Sequence, residues 1–185
     1  MTNTPKARGG LQAVTEAARQ APGRGLLPPV HLWHPPHCGE IDIVIRADGV
    51  WMHEGSPIGR EALVRLFSTV LRKDPDGYHL VTPVEKLRIG VEDLPFRAVA
   101  MRREDEALIF ITDVGDEVRA DADNPVVVET DAATGEPRPR VHVRRDLWAR
   151  IARPIFYDMV ETAEAVGGRL VLRSAGQAFD LGALS

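Results

Sequence analysis

Ile41, Ile43 and Ile45 alternate with Asp42, Val44 and Arg46, the period of a strand with one buried face. Asp48-Gly49 supplies the residues of a tight hairpin turn, and Val50–His53 is the returning strand. Ser56-Pro57-Ile58-Gly59 breaks that strand and opens a helix. On the helix Leu63, Leu66, Phe67, Val70 and Leu71 share one face at spacings of three and four. Its span is set at Arg60–Leu71, with Asp74-Pro75-Asp76-Gly77 ending it by turn chemistry. Tyr78–Thr82 and Val84–Val91 read as two strands bent around Pro83.

A second series follows. Phe96–Met101 and Ala107–Thr112 read as strands joined by the charged turn Arg102–Glu106, and Glu117–Ala120, Val126–Thr130 and Arg138–Arg144 continue the strand pattern. Asp146 has the chemistry of an N-cap for a helix over Asp146–Val166 that buries Leu147, Ile151, Ile155, Met159, Val160 and Ala163. Pro154 lies inside that pattern and is expected to kink or split the helix. Gly167-Gly168 stops it, and Arg169–Ser174 with Gln177–Leu181 form a closing hairpin. The fold class is therefore α+β: two small strand-rich units, each with a strands, helix, hairpin order and one main helix. The expected organisation is a tail over 1–29 with a short helix at Leu11–Gln20, a first unit over 30–92 and a second over 93–185. The two passes share element order, not residue identity.

Composition narrows the class. Hydrophobic residues make up 44% and charged residues 27%, which is globular rather than disordered. A net charge of −4 gives no whole-molecule attraction to nucleic acid or to an anionic membrane. The single cysteine, Cys38, cannot form an internal disulfide and fits a reducing compartment. No apolar run approaches the roughly 20 residues that span a bilayer, and no apolar segment follows Lys6 and Arg8. Cytoplasm is the expected location.

Several phrases match one pattern in order: Leu27-Pro-Pro-Val30 with Trp33 and Pro35, Cys38-Gly39 before Ile41-Asp42-Ile43, Asp48-Gly49-Val-Trp51, Ser56-Pro-Ile-Gly-Arg60 and Leu66-Phe67. Leu80-Val-Thr-Pro-Val-Glu-Lys86, Val91-Glu-Asp93 with Pro95-Phe96, and Gly135-Glu-Pro-Arg-Pro139 continue it. In these the chain resembles the bacterial domain-of-unknown-function family 1285, from residue 27 to about 182. The resemblance implies a two-part α+β fold with a repeated structural motif and no established activity, so no catalytic residue carries over. His37 and Arg140 depart from the family's usual pattern, which has an apolar residue and an aromatic there.

Each chemistry-bearing cluster also has a plainer account. His34-Pro-Pro-His37-Cys38 offers soft ligands, but zinc wants four, usually from two separated pairs, and no second pair exists. The spacing of Asp113, Asp116, Asp121 and Asp123 does not match a calcium loop. No metal or cofactor is expected. Arg138, Arg140, His142 and Arg144 would share one face of a strand, where aligned guanidiniums bind carboxylate or phosphate. The plainer account pairs them with acidic residues of Glu117–Asp123 or with Glu129. Thr82, Lys86 and Arg88 beside the Pro83 bend either join a cross-strand salt network or contact a ligand near the junction of the units.

No nucleophile elbow, phosphate-cradling loop, metalloprotease helix or dinucleotide fingerprint occurs. The leading expectation is a non-enzymatic module, binding or signalling, for a small anionic ligand. The alternatives are an interaction protein that dimerises or accepts a partner strand at an open sheet edge, and a hydrolase using carboxylates over Glu85–Asp93.

Overall fold

The computed structural model describes residues 10–21 and 27–184. The chain divides into two compact units, Met1–Asp93 and Leu94–Ser185. No helix among the described residues is long and apolar enough to cross a membrane.

In the first unit β1 (His37–Ile45), β2 (Trp51–His53) and β3 (Ser56–Pro57) form an antiparallel meander, followed by α2 (Glu61–Thr69) and a second meander of β4 (Leu71–Asp74), β5 (Gly77–Val81) and β6 (Glu85–Val91). The last strand, β6, pairs parallel with the first, β1, giving one sheet in the order β3-β2-β1-β6-β5-β4. Ile41, Ile43, Ile45, Trp51, Leu80, Leu87 and Ile89 are buried on one face, together with Leu63 and Phe67 of α2. Gly49, at φ 89, closes the β1–β2 hairpin by donating its N–H to the Arg46 carbonyl. The short helix expected at Leu11–Gln20 is α1 (Gly10–Gln20), which packs on α2 with Val14 and Ala18 buried. Residues 22–26 of the Gly/Pro-rich stretch lie outside the described residues.

The helix expected over Arg60–Leu71 ends earlier, at Thr69. Leu71 is buried and Arg72 half-buried, a period-two step, and Asp74-Pro75-Asp76-Gly77 is the tip of the β4–β5 hairpin rather than a helix stop. Pro75 and Asp76 suit the centre of such a turn.

The second unit repeats that connectivity. β7 (Phe96–Glu104), β8 (Ala107–Thr112) and β9 (Glu117–Arg119) form one meander; β10 (Val126–Thr130), β11 (Pro137–Arg144) and β12 (Leu147–Ile151) form the next. The last of these, β12, again pairs parallel with the first, β7, giving the order β10-β11-β12-β7-β8-β9. A short bent stretch, 120–125, takes the place of the helix between the meanders. The unit's helix, α3 (Arg153–Thr162), comes after β12 and leads into a third sheet, β13 (Glu164–Val166), β14 (Arg169–Ser174) and β15 (Gln177–Ala183). Strands, one helix, then antiparallel strands is thus the order in both units, while the structural repeat is the six-stranded sheet.

The single helix expected over Asp146–Val166 is therefore three elements. Leu147, Ala149 and Ile151 are buried and Trp148 and Arg150 half-buried, so Leu147–Ile151 is a strand whose buried ends mimic helical spacing. Asp146 lies in the β11–β12 turn and caps no helix. Pro154 falls in the first turn of α3, where the missing N–H costs nothing. Gly167-Gly168 turns β13 into β14.

Within this unit the Ser174 hydroxyl accepts the Leu108 N–H at 2.8 Å and donates to the Ala120 carbonyl at 2.6 Å, all three residues being buried. Ser174→Ala leaves both backbone groups unpaired, and about 1–3 kcal/mol is lost for each group so stranded. Urea denaturation is expected to show a loss of about 2 kcal/mol or more with an unchanged slope.

Candidate anion-binding face

On β11, Pro139, Val141 and Val143 are buried while Arg138, Arg140 and His142 are half-buried on the opposite face. A β-bulge between His142 and Arg144 breaks the alternation and pairs Arg144 with Leu147. Arg144 thereby leaves the face of the other three. It is held by Asp116 at 2.6 Å, with its guanidinium 5.0 Å from the Phe96 ring centre. The four-residue face expected from sequence is a three-residue face.

Register adds two residues that sequence reasoning missed. Arg140 lies directly opposite Arg150 on β12, and Arg150 directly opposite Arg97 on β7. Directly opposed residues point to the same side of a sheet, so three arginines form a row across three adjacent strands. The Arg140 guanidinium lies 4.5 Å over the Trp148 ring, and its Nη2 meets Glu129 at 2.7 Å. Arg138 meets Asp131 at 3.3 Å, and Arg150 Nη1 donates to the Pro139 carbonyl at 3.3 Å. His142 faces Trp148 edge-on and contacts the Arg145 carbonyl through Nε2. At the Arg97 end, burial pushes the Asp113 carboxyl up, against the Arg97 N–H that it accepts at 3.0 Å.

Thr82, Lys86 and Arg88 belong to the first unit. Thr82 is buried, and its hydroxyl accepts the Glu85 N–H at 3.2 Å, fixing the bend around Pro83. Lys86 Nζ meets Asp74 at 2.7 Å, and Arg72 grips the same carboxylate with Nε at 2.8 Å and Nη2 at 2.9 Å. Arg72 also donates to the carbonyls of Val30 and Trp33, tying down the aromatic and proline-rich segment before β1. The guanidinium of Arg88 lies over Gly77, 3.6 Å from where a side chain there would begin. Asp74, Asp76 and His79 bring three metal-type ligand atoms within 4.8 Å of one another. With Asp74 already gripped by two cations, the cluster reads as a cross-strand ion network. His79 stays neutral because burial, and then the Lys86 charge, push its pKa down against Asp76 and Asp74.

Two family descriptions cover most of the chain: the N-terminal domain of DUF1285, a domain of unknown function, matches residues 28–94, and the C-terminal domain matches 95–181. The chain belongs to the DUF1285 family. A DUF1285 family protein from Silicibacter pomeroyi, solved by crystallography, is 43% identical, with 96% of this chain and 97% of that one covered and a TM-score of 0.85. A second DUF1285 structure, from Shewanella baltica, is 27% identical over 64% of this chain and 90% of its own, with a TM-score of 0.53. Among curated proteins none matches.

In this DUF1285 chain the second unit also holds a groove of about 750 Å³, lined by Val126, Val128, Phe156, Leu170, Phe179 and Leu181 among others, with Arg169 and Asp180 paired at 2.6 Å beside it. One wall is β10, which pairs only with β11 among the described residues. The Pro125–His142 and Asp131–Glu136 backbone bonds fix the phase of that pairing. Val126, Val128 and Thr130 therefore direct their N–H and C=O groups away from β11.

Burial alone would raise the Asp74 carboxyl, but hydrogen bonds from Arg72 and Lys86 and their charges outweigh it and hold it at about 2. A carboxyl below its ordinary value stabilises the fold above that value and loses its contribution as pH falls through the folded one. Stability is thus expected to drop between about pH 4 and pH 2, by on the order of 1–2 kcal/mol after solvent screening. Asp74→Asn should lower stability at neutral pH and flatten that acid limb, measured by urea denaturation across the range.

Proposed function

We propose that this protein is a non-enzymatic binding module that takes a small anionic ligand on the β11–β12–β7 face of its second unit. The observation that carries this reading is the register of Arg140, Arg150 and Arg97. Like charges placed directly opposite one another are unfavourable in a sheet. An arriving carboxylate or phosphate relieves that repulsion and accepts paired guanidinium donors, so the arrangement favours a bound state. Cytoplasmic location and a regulatory role belong to the same reading.

The test is a thermal-shift series with phosphate, sugar phosphates and carboxylates at constant ionic strength. A ligand at a hundredfold its Kd adds about 2.7 kcal/mol, and that corresponds to a rise in Tm of several degrees for a chain of this size. Arg150→Gln should lose the response to anion. Absence of stabilisation by every anion, or an undiminished response in Arg150→Gln, would sink the reading.

A second reading, an interaction protein acting through a strand edge, is favoured by β10. Val126, Val127 and Val128 are consecutive β-branched residues on an edge with no lysine or proline in the strand. A second copy of this chain pairing through β10 would use the outward N–H and C=O groups of Val126 and Val128. Light scattering should then give a dimer for the parent and a monomer for Val128→Lys. A monomeric parent over the whole accessible concentration range would exclude it.

A further inference from the structure

The edges of the three sheets differ in how they are protected. β3 contains Pro57, and β4 carries Arg72, which holds the Val30 and Trp33 carbonyls beside that edge. β9 and β13 are three residues long, with Glu117 and Arg119 at the ends of one and Glu164 opening the other. Proline, charge, shortness and cover are the usual means of keeping a strand edge from pairing. β10 has none of them over Val126–Val128. Its outward N–H and C=O groups belong to Val126, Val128 and Thr130, and all three residues line the groove of about 750 Å³. The remaining edge, β15, borders the same groove. Phe179 and Leu181 of β15 and Phe156 and Val160 of α3 make much of the other lining apolar. Arg169 and Asp180 neutralise one another at 2.6 Å, so an occupant needs no charge of either sign.

Two demands must be met at once. An apolar molecule filling the groove would strip water from the strand edge and leave its amides and carbonyls unpaired. A polar molecule would leave the apolar lining without a partner. An extended peptide meets both, because its main chain pairs with the edge while every second side chain turns to the lining. A folded second copy fits less well: in a two-fold β10–β10 pairing each edge would arrive with its own α3 and β15 on the pairing side. We propose that this groove takes an extended segment of another protein, apolar at alternate positions, as a strand added to β10. The proposal rests on the strand-edge reading above and changes its occupant from a folded copy to an unfolded segment.

Isothermal titration of the full chain with acetylated, amidated peptides Lys-X-Thr-X-Thr-X-Lys, where X is Val, Leu or Phe, reads the contact directly. At least one of these is expected to bind one to one, and Ser at X should weaken it about tenfold or more. Methylating the main-chain nitrogens of X or, separately, of Thr should give unequal losses, about thirtyfold for one set and little for the other. Only alternate N–H groups of an added strand face its neighbour. Val128→Pro removes one outward donor where an edge strand admits proline, and should weaken binding about five- to tenfold. Near-ultraviolet circular dichroism identical to the parent checks its fold, and Val128→Lys, which keeps the backbone donor but puts a charge on the edge, should also lose the peptide. Equal loss from both methylated sets, or undiminished binding in both Val128 variants, overturns the added strand. Undiminished binding of the Ser peptide overturns the assignment to the groove. Failure of every peptide to bind also overturns the proposal: if the parent is then a dimer that Val128→Lys breaks, the strand-edge reading stands, and otherwise both fall.

Discussion

Each six-stranded sheet depends on one parallel pairing. A three-stranded meander has local antiparallel contacts but two open edges and half a buried face. Joining the first strand of one meander to the last strand of the next removes two of those edges and completes the face. In the first unit this sets Ile41, Ile43 and Ile45 beside Leu87 and Ile89, and in the second it sets Phe96 and Ala98 beside Ala149 and Ile151. The fit is close: a Cβ on Gly90 would come within 3.3 Å of Val44, next to the register shift between Glu40 and Val44. Parallel neighbours need a long crossover, and both units supply it with intervening strands.

The same pairing decides the polar faces. In the first unit it continues the cross-strand row Arg72, His79, Arg88 to Glu40, so cations alternate with a neutral ring and end on a carboxylate. Asp74 gathers Arg72 and Lys86 beside that row. In the second unit the corresponding strands bring three arginines into one line, with Glu129 on the outermost. One architecture thus carries two electrostatic designs, a network gathered on Asp74 and a line of arginines across three strands.

Much of the local structure was legible because period and turn chemistry agreed. The Ile41–Ile45 alternation, the Asp48-Gly49 turn and the Leu63–Phe67 face all lie within a few residues of their partners. Leu147 and Ile151 misled because buried positions four apart in a strand also match one helical face, and Ile155 of α3 continues that spacing. Only the half-buried Trp148 and Arg150 between them break the tie. The candidate site was half visible. Arg138, Arg140 and His142 show by alternation, whereas the bulge that removes Arg144 has no local signature. Arg97 joins through strand pairing across more than fifty residues of chain, which no pattern along the sequence reports.

Ser174 carries a consequence for how the second unit moves. Its hydroxyl accepts the buried Leu108 amide of β8, and that hydroxyl rides on a hairpin of another sheet. The Leu108 amide cannot meet solvent while β14 stays in place, and β14 cannot leave without stranding the Ala120 carbonyl as well. Local opening is therefore coupled over a long stretch of chain: hydrogen exchange at one backbone position in β8 keeps time with the lifting of the β14–β15 hairpin.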